Sequence, residues 1–178
     1  MKRRALLAGA LGLSGCAAFD RLPIRAPDAP YVPTKQEVVE QMLALARVTA
    51  KDVVYDLGCG DGRIVITAAR EHGARGVGVE IDRELVRVAT ENARAAGVSH
   101  LTSFRLEDMF KTDVREASVV ALYLLPELME RLKFNLRAQL RPGARIVANE
   151  FGMGGDWEPD RIVPIGTSRI MLWEIRRA

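Results

Sequence analysis

Val53-Val54-Tyr55-Asp56-Leu57-Gly58-Cys59-Gly60-Asp61-Gly62-Arg63, with Gly76-Val77-Gly78-Val79-Glu80 soon after it, decides the fold. The first stretch reads as a buried strand running into a glycine loop and then a helix. The second reads as another buried strand that ends in a carboxylate. Together they form the opening βαβ unit of an open α/β sheet, which places a nucleoside pocket beyond the strand ends. A dinucleotide site needs Gly-x-Gly-x-x-Gly so that a pyrophosphate can rest on the helix N-terminus. Here the third glycine, Gly62, comes one residue early, and Arg63 stands where that pattern needs a glycine. Asp56, just ahead of the loop, would repel a pyrophosphate and attract an ammonium group.

Gly58, Gly60 and Gly62 let the backbone pass close to a ligand in conformations that a Cβ forbids. Glu80, at the carboxyl end of its strand, can accept two hydrogen bonds from vicinal ribose hydroxyls, each worth about 1.5–3 kcal/mol. A glycine-rich turn with no ligand is the plain alternative, which the register of Asp56, three glycines and Glu80 disfavours.

Outward from this core the chain alternates strand and helix. Strands are expected at 53–57, 76–80, 101–106, 119–124 and 145–149, and helices at 63–71, stopped near Gly73, and 83–96, ended by Gly97. Pro126 opens a further helix whose Leu128, Met129, Leu132, Leu136 and Leu140 share one face. Thr34 followed by Glu37 predicts a capping box for an earlier helix with Val38, Met42, Leu45 and Ala46 inside. Two last extended runs, 161–165 and 169–175, joined through Gly166, predict an antiparallel hairpin at the sheet edge. Continuous apolar strands between helices imply an α/β fold, with a mostly parallel sheet covered by helices on both faces.

Asp-x-Gly-x-Gly-x-Gly with the later acid resembles the class I S-adenosylmethionine-dependent methyltransferases, and the resemblance covers most of the chain from Tyr31 onward. It implies their seven-stranded Rossmann-like sheet, S-adenosylmethionine as cofactor, and Asp56, Gly58, Gly60, Gly62 and Glu80 as its holders. An acid after the third strand accepts from the adenine amino group in that fold, which points to Asp108, with Met109 and Phe110 beside the ring. Tyr123-Leu124-Leu125-Pro126 occupies the place of the Asn-Pro-Pro-Tyr clamp of enzymes that methylate base amino groups, so nucleic acid is disfavoured as acceptor. Tyr31-Val32-Pro33-Thr34, the 61–66 run and Asp156-Trp157-Glu158-Pro159-Asp160 are similar to a narrower family. That family of small enzymes includes the mitochondrial protein-lysine methyltransferase acting on the ATP synthase c-subunit. The likeness implies a protein lysine as acceptor, with Tyr31 and Thr34 folding over the cofactor; a small-molecule acceptor, or a scaffold without turnover, is the alternative. Glu150 and Tyr123 are the groups nearest to orient an amine or take its proton. The 156–160 segment reads equally as a structural loop with Trp157 on the sheet edge.

The 178 residues suit one domain with a full core. The formal charge of +3 comes from the leader: without Lys2, Arg3 and Arg4, basic and acidic residues match in number, so no basic patch argues for nucleic acid. Met1-Lys2-Arg3-Arg4, the apolar 5–13 run and Leu13-Ser14-Gly15-Cys16 resemble a bacterial lipoprotein signal peptide over 1–15, which makes Cys16 the acylated N-terminus. The apolar run is shorter than the ~20 residues a membrane-spanning helix needs. A Pro-rich linker over 16–33 then leads to the cofactor-binding domain over 34–178. The leader implies a membrane-anchored, periplasmic protein, the alternative being a cytoplasmic one with a spurious leader. Arg3-Arg4 suggests a twin-arginine route, which would carry a folded, loaded domain. Cys59, the other cysteine, sits in the glycine loop and reads as a packing residue. His72 and His100 stand apart, and no metal-ligand spacing is present.

Overall fold

The structure, a computed structural model, describes residues 26–176. The leader, Cys16 and the first part of the linker lie outside the described residues. Among the described residues, seven strands and four helices follow one another as α1 (Gln36–Leu45), β1 (Val53–Leu57), α2 (Arg63–His72), β2 (Arg75–Glu80), α3 (Arg83–Ala95), β3 (Thr102–Leu106), β4 (Val119–Leu122), α4 (Pro126–Gln139), β5 (Arg145–Asn149), β6 (Arg161–Ile165) and β7 (Ser168–Glu174). The strands lie side by side in the order β3-β2-β1-β4-β5-β7-β6. The first five are parallel, and β7 runs antiparallel between β5 and β6, so the expected hairpin is present with β6 outermost.

Alternation along the strands sends side chains to two cores. Val54, Val119 and Val147 face α1 and α2, whereas Tyr55, Val120 and Ile146 face α4. Because β2 and β3 lie on one side of β1 and β4 on the other, the strand order reverses between β1 and β4. A crevice opens there beyond the carboxyl ends. At the opposite ends, buried Asp52 ties three strands together. It accepts from the Ser118 hydroxyl at 2.7 Å and the Thr49 amide at 2.8 Å, and it pairs with Arg145.

The helix stops expected at Gly73 and Gly97 are present, both in left-handed backbone conformation. The capping box is not. α1 starts at Gln36 behind Lys35, with no side-chain cap bond, because Thr34 is held elsewhere: its carbonyl accepts the Arg63 guanidinium at 2.6 Å and its side chain is buried. A charge-assisted tertiary bond has displaced a local one. The 156–160 segment is a structural loop. Asp156 binds Lys133 and Arg137 of α4, Trp157 accepts the Trp173 indole N–H at 2.9 Å, and Asp160 accepts the Glu174 amide at 2.7 Å.

Candidate active site

The glycine loop leaves β1 with two amides, those of Gly58 and Cys59, donating to the Val79 carbonyl at 2.8 and 3.0 Å. Gly58, Gly60 and Gly62 have φ of +85°, +53° and +80°. Two of them are glycine for packing reasons also. A Cβ on Gly60 would lie 2.4 Å from the Tyr31 ring, and one on Gly62 would lie 2.7 Å from Phe104 and 2.9 Å from the Ala89 methyl. Gly60 is therefore bare so that Tyr31 can cover it, and Gly62 so that α2, α3 and β3 can close up.

Glu80 ends β2 against this loop. One carboxylate oxygen accepts the Gly60 amide at 3.0 Å, and the other accepts the amides of Ile81 and Asp82 at 2.7 and 3.0 Å. A carboxylate has room for about four such bonds, so the oxygen facing Gly60 can still take a ribose hydroxyl. Asp82 caps α3 by accepting the Glu84 amide at 2.8 Å.

Beyond the loop lies a cavity of about 420 Å³. Residues 27–34 roof it, and Ile81, Leu85 and Met109 give it an apolar side. Six carboxylate residues line it (Asp28, Asp56, Asp61, Glu80, Asp82 and Glu107) against a single guanidinium, Arg63. That guanidinium is committed to Asp61, donating to its carboxylate at 2.9, 3.2 and 2.6 Å. Against the desolvation that would raise it, this grip keeps the Asp61 carboxyl below the ordinary range. Burial, then Asp61, pushes the phenol of Tyr31 up.

Asp56 differs from the others. It is 3% exposed, and among the described residues no hydrogen bond or ion pair holds its side chain. Burial first, then the charges of Glu80 and Asp61, pushes it up to about 8. A buried carboxyl in this state is costly to ionise until a cation meets it. The amino group of S-adenosylmethionine is such a cation, the apolar wall suits its adenine, and Glu80 suits its ribose; the residues present fit the group.

Of the residues expected at the site, Tyr31, Thr34, Asp56, Gly58, Gly60, Glu80, Met109 and Tyr123 line the cavity. Gly62, Asp108 and Glu150 do not. Gly62 is a packing position, as above. Asp108 turns back into its own loop, accepting the Phe110 amide at 3.0 Å, so Glu107 is the carboxylate of that loop at the cavity. Glu150 has φ +65°, a left-handed conformation uncommon outside glycine, and is pinned to Arg169 through its amide at 2.9 Å and its carbonyl at 3.1 Å. Cys59 is buried, and desolvation followed by the Asp56 and Glu80 charges pushes its thiol up, which suits packing and not attack. Arg63 and Asp61 were not expected as site residues. The Asp-Gly-Arg that closes the glycine loop was the available signal.

The family model for the ANTKMT methyltransferase domain matches residues 56–161, more than half of the chain. The chain belongs to this family. It is an S-adenosylmethionine-dependent methyltransferase of class I architecture. A protein-lysine N-methyltransferase of Saccharolobus islandicus is 44% identical to it over 140 residues, 78% of this chain and 86% of that protein. An ATP synthase c-subunit lysine N-methyltransferase of Xenopus laevis is 34% identical over 146 residues, 82% of this methyltransferase and 63% of the relative. Among solved structures, one described as an RNA methyltransferase of Salinibacter ruber, in complex with S-adenosylhomocysteine, superposes with a TM-score of 0.81. It is 52% identical, with 83% of this chain and 95% of that one covered.

Proposed function

We propose that this methyltransferase N-methylates lysine side chains of a protein acceptor. The observation that carries the reading is the carboxylate lining of the cavity: six acidic residues against one committed arginine draw in a cationic acceptor and repel a polyanion. The lysine methyltransferase names of the relatives support it. The Salinibacter ruber structure is described as an RNA methyltransferase, and the acidic lining with Tyr123-Leu124-Leu125-Pro126 in place of a base clamp argues against carrying that acceptor over.

S-Adenosylmethionine, when bound, supplies an electrophilic methyl group on a sulfonium. The chain's own residues do the rest. Asp56 would receive the amino group of the cofactor, Glu80 the ribose hydroxyls, and Met109 with Leu85 would flank the base. The strap over 27–34 and the Leu124–Leu128 side exclude water, which strengthens every charge interaction inside. A lysine amine must lose its proton before it can attack, since its ordinary pKa is about 10.4. Tyr123, at the cavity end of β4, is placed to orient the neutral amine by accepting or donating a hydrogen bond.

The test is methyl transfer from labelled cofactor into protein and RNA fractions of lysate, with Asp56→Asn as control. Label recovered as methyl-lysine, lost in the control, supports the reading. Label in RNA alone overturns it. Binding of S-adenosylhomocysteine without transfer to either fraction points to a scaffold or to a small-molecule acceptor. We also propose that Cys16 is acylated and holds the domain at the periplasmic side of a membrane, the 16–33 linker giving it reach. Fractionation of Cys16→Ser tests the anchor, and export of a chain with Lys at Arg3 and Arg4 tests the twin-arginine route.

A further inference from the structure

We propose that Arg63 positions the 27–34 strap over the cofactor and that Arg131 latches its other end, so that these two guanidiniums set the rate of cofactor exchange. The inference rests on the cavity being the S-adenosylmethionine site. All eight residues of the strap line that cavity, yet none belongs to a helix or a strand. Neither helix nor sheet holds the strap, so its side chains and its contacts with the body must. Pro27, Pro30 and Pro33 stiffen it and keep it extended, lowering the entropy lost on closure.

At the C-terminal end of the strap, one guanidinium joins three parts. Arg63, the first residue of α2, donates to the Thr34 carbonyl at 2.6 Å, grips Asp61 of the glycine loop, and lies beside the Tyr31 hydroxyl. The Tyr31 ring in turn sits on Gly60. Since the Gly60 amide is bonded to Glu80, a ligand that orders Glu80 and the loop also orders the seat on which Tyr31 rests. Cofactor binding and strap closure are thereby coupled.

The other end meets a second guanidinium. Asp28 faces Arg131 of α4 at 3.8 Å, and the Arg131 side chain is 56% exposed, against 30% for Arg63. Arg131 is nevertheless pre-positioned, its guanidinium lying 3.7 Å over the Phe110 ring. Thus the strap spans from α4 to α2 across the carboxyl ends of β1 and β4, with a guanidinium at each end.

The experiment uses the full chain as wild type, Arg63→Ala, Arg63→Lys and Arg131→Ala. Two readouts are taken: dissociation of tritiated S-adenosylhomocysteine chased with unlabelled ligand, and chymotryptic cleavage after Tyr31 with and without ligand. Arg131→Ala should speed release by about two- to five-fold, the range of one exposed ion pair. Arg63→Ala should speed it by about ten-fold or more, with Arg63→Lys between wild type and Ala. Ligand should slow cleavage after Tyr31 in the wild type and not in Arg63→Ala, while the bond after buried Trp173 stays uncut in both. A merely structural role for Arg63 would expose both bonds together. Unchanged release in both alanine variants, or weakened binding with Tyr31 still protected, overturns the proposal. A wild type that does not bind the ligand overturns the cofactor reading itself.

Discussion

Replacing Asp56 by Asn should make the ligand-free protein more stable at neutral and alkaline pH, and by an amount that grows with pH. The folded carboxyl is pushed up to about 8, against an ordinary 3.8. Between these values the unfolded chain has released the proton that the folded chain keeps. Stability contributed by this group is therefore lost as pH rises through that window, below it the two states bind the proton alike, and above about 8 the loss is complete. From pH 5 to pH 8 the wild type should lose about 4 kcal/mol relative to Asp56→Asn, at about 1.36 kcal/mol per pH unit. Near the melting point that is roughly 8–16 °C for a domain of this size. Urea unfolding at several pH values, followed by fluorescence of buried Trp173, reads the difference directly, and subtracting variant from wild type removes every other titrating group. A difference that stays constant within about 1 kcal/mol across that pH range, a bound set against the linkage slope, would refute the argument, because it would mean that Asp56 has the same proton affinity folded and unfolded. Calorimetry gives an independent check: at neutral pH cofactor binding should release a proton from wild-type Asp56, making the observed heat depend on the buffer, and Asp56→Asn should bind weakly with no such dependence.

Other residues allow shorter tests. Glu80→Ala removes both the ribose acceptor and the anchor of the Gly60 amide, so S-adenosylhomocysteine affinity measured by calorimetry should fall by about ten-fold or more. Gly60→Ala should cost about 1–3 kcal/mol of stability and open the strap, since the new methyl meets the Tyr31 ring; combining it with Tyr31→Ala should restore part of the stability, read from urea midpoints. Asp52→Ala should destabilise by about 1–3 kcal/mol at neutral pH because it takes away the acceptor shared by the Ser118 hydroxyl, the Thr49 amide and the Arg145 guanidinium, which keeps only its bonds to the Ala46 and Arg47 carbonyls. Burial works against the Asp52 charge, but Ser118, Thr49 and Arg145 hold its carboxyl below the ordinary value. The stability it gives is thus present above that ordinary value, and the gap between wild type and variant should narrow as pH falls through the lowered one.

The parts of this molecule that were legible in the sequence are those whose cause is local. Three glycines at fixed spacing, all with positive φ, and a carboxylate at a strand end are one βαβ unit, and their register can be counted along the chain. Gly73 and Gly97 end helices for reasons confined to the last turn. What was not legible depends on contacts far apart in sequence. The capping box at Thr34 is a sound local motif, overruled by a guanidinium 29 residues away. That Glu107 lines the cavity while the Asp108 carboxylate accepts the Phe110 amide follows from the turn of the loop after β3, which neither periodicity nor composition marks. Arg63 was visible as a residue that excludes a dinucleotide and as part of the 61–66 run; its bond to Asp61 is local, whereas Thr34 and Tyr31 reach it only through tertiary folding.

The acidic lining also shows how a site of one sign can be kept within a stable fold. Six carboxylates around one cavity repel one another, and four of them have partners, two in guanidiniums and two in backbone amides. Asp61 has Arg63, Glu80 has three backbone amides, Asp82 has the N-terminus of α3, and Asp28 has Arg131. Such partners stabilise the charge and at the same time hold a loop, a helix or the strap in place. Asp56 alone is buried with no partner among the described residues, so burial first, and then the charges of Glu80 and Asp61, leave it with a retained proton. The arrangement suits the binding of a cation: the site is near neutral where the cofactor's amino group will sit, and it becomes anionic only as that group arrives. It follows that Asp61→Asn and Asp56→Asn, the same replacement at two residues of one loop region, should act oppositely on the ligand-free protein, because Asp61 is a paired carboxylate and Asp56 an unpaired, protonated carboxyl. The first removes half of the Arg63 clamp and should lower stability, while the second removes an unpaired carboxyl and should raise it. Equal effects of the two would mean that the lining acts as a diffuse negative field and not as a set of separately partnered charges.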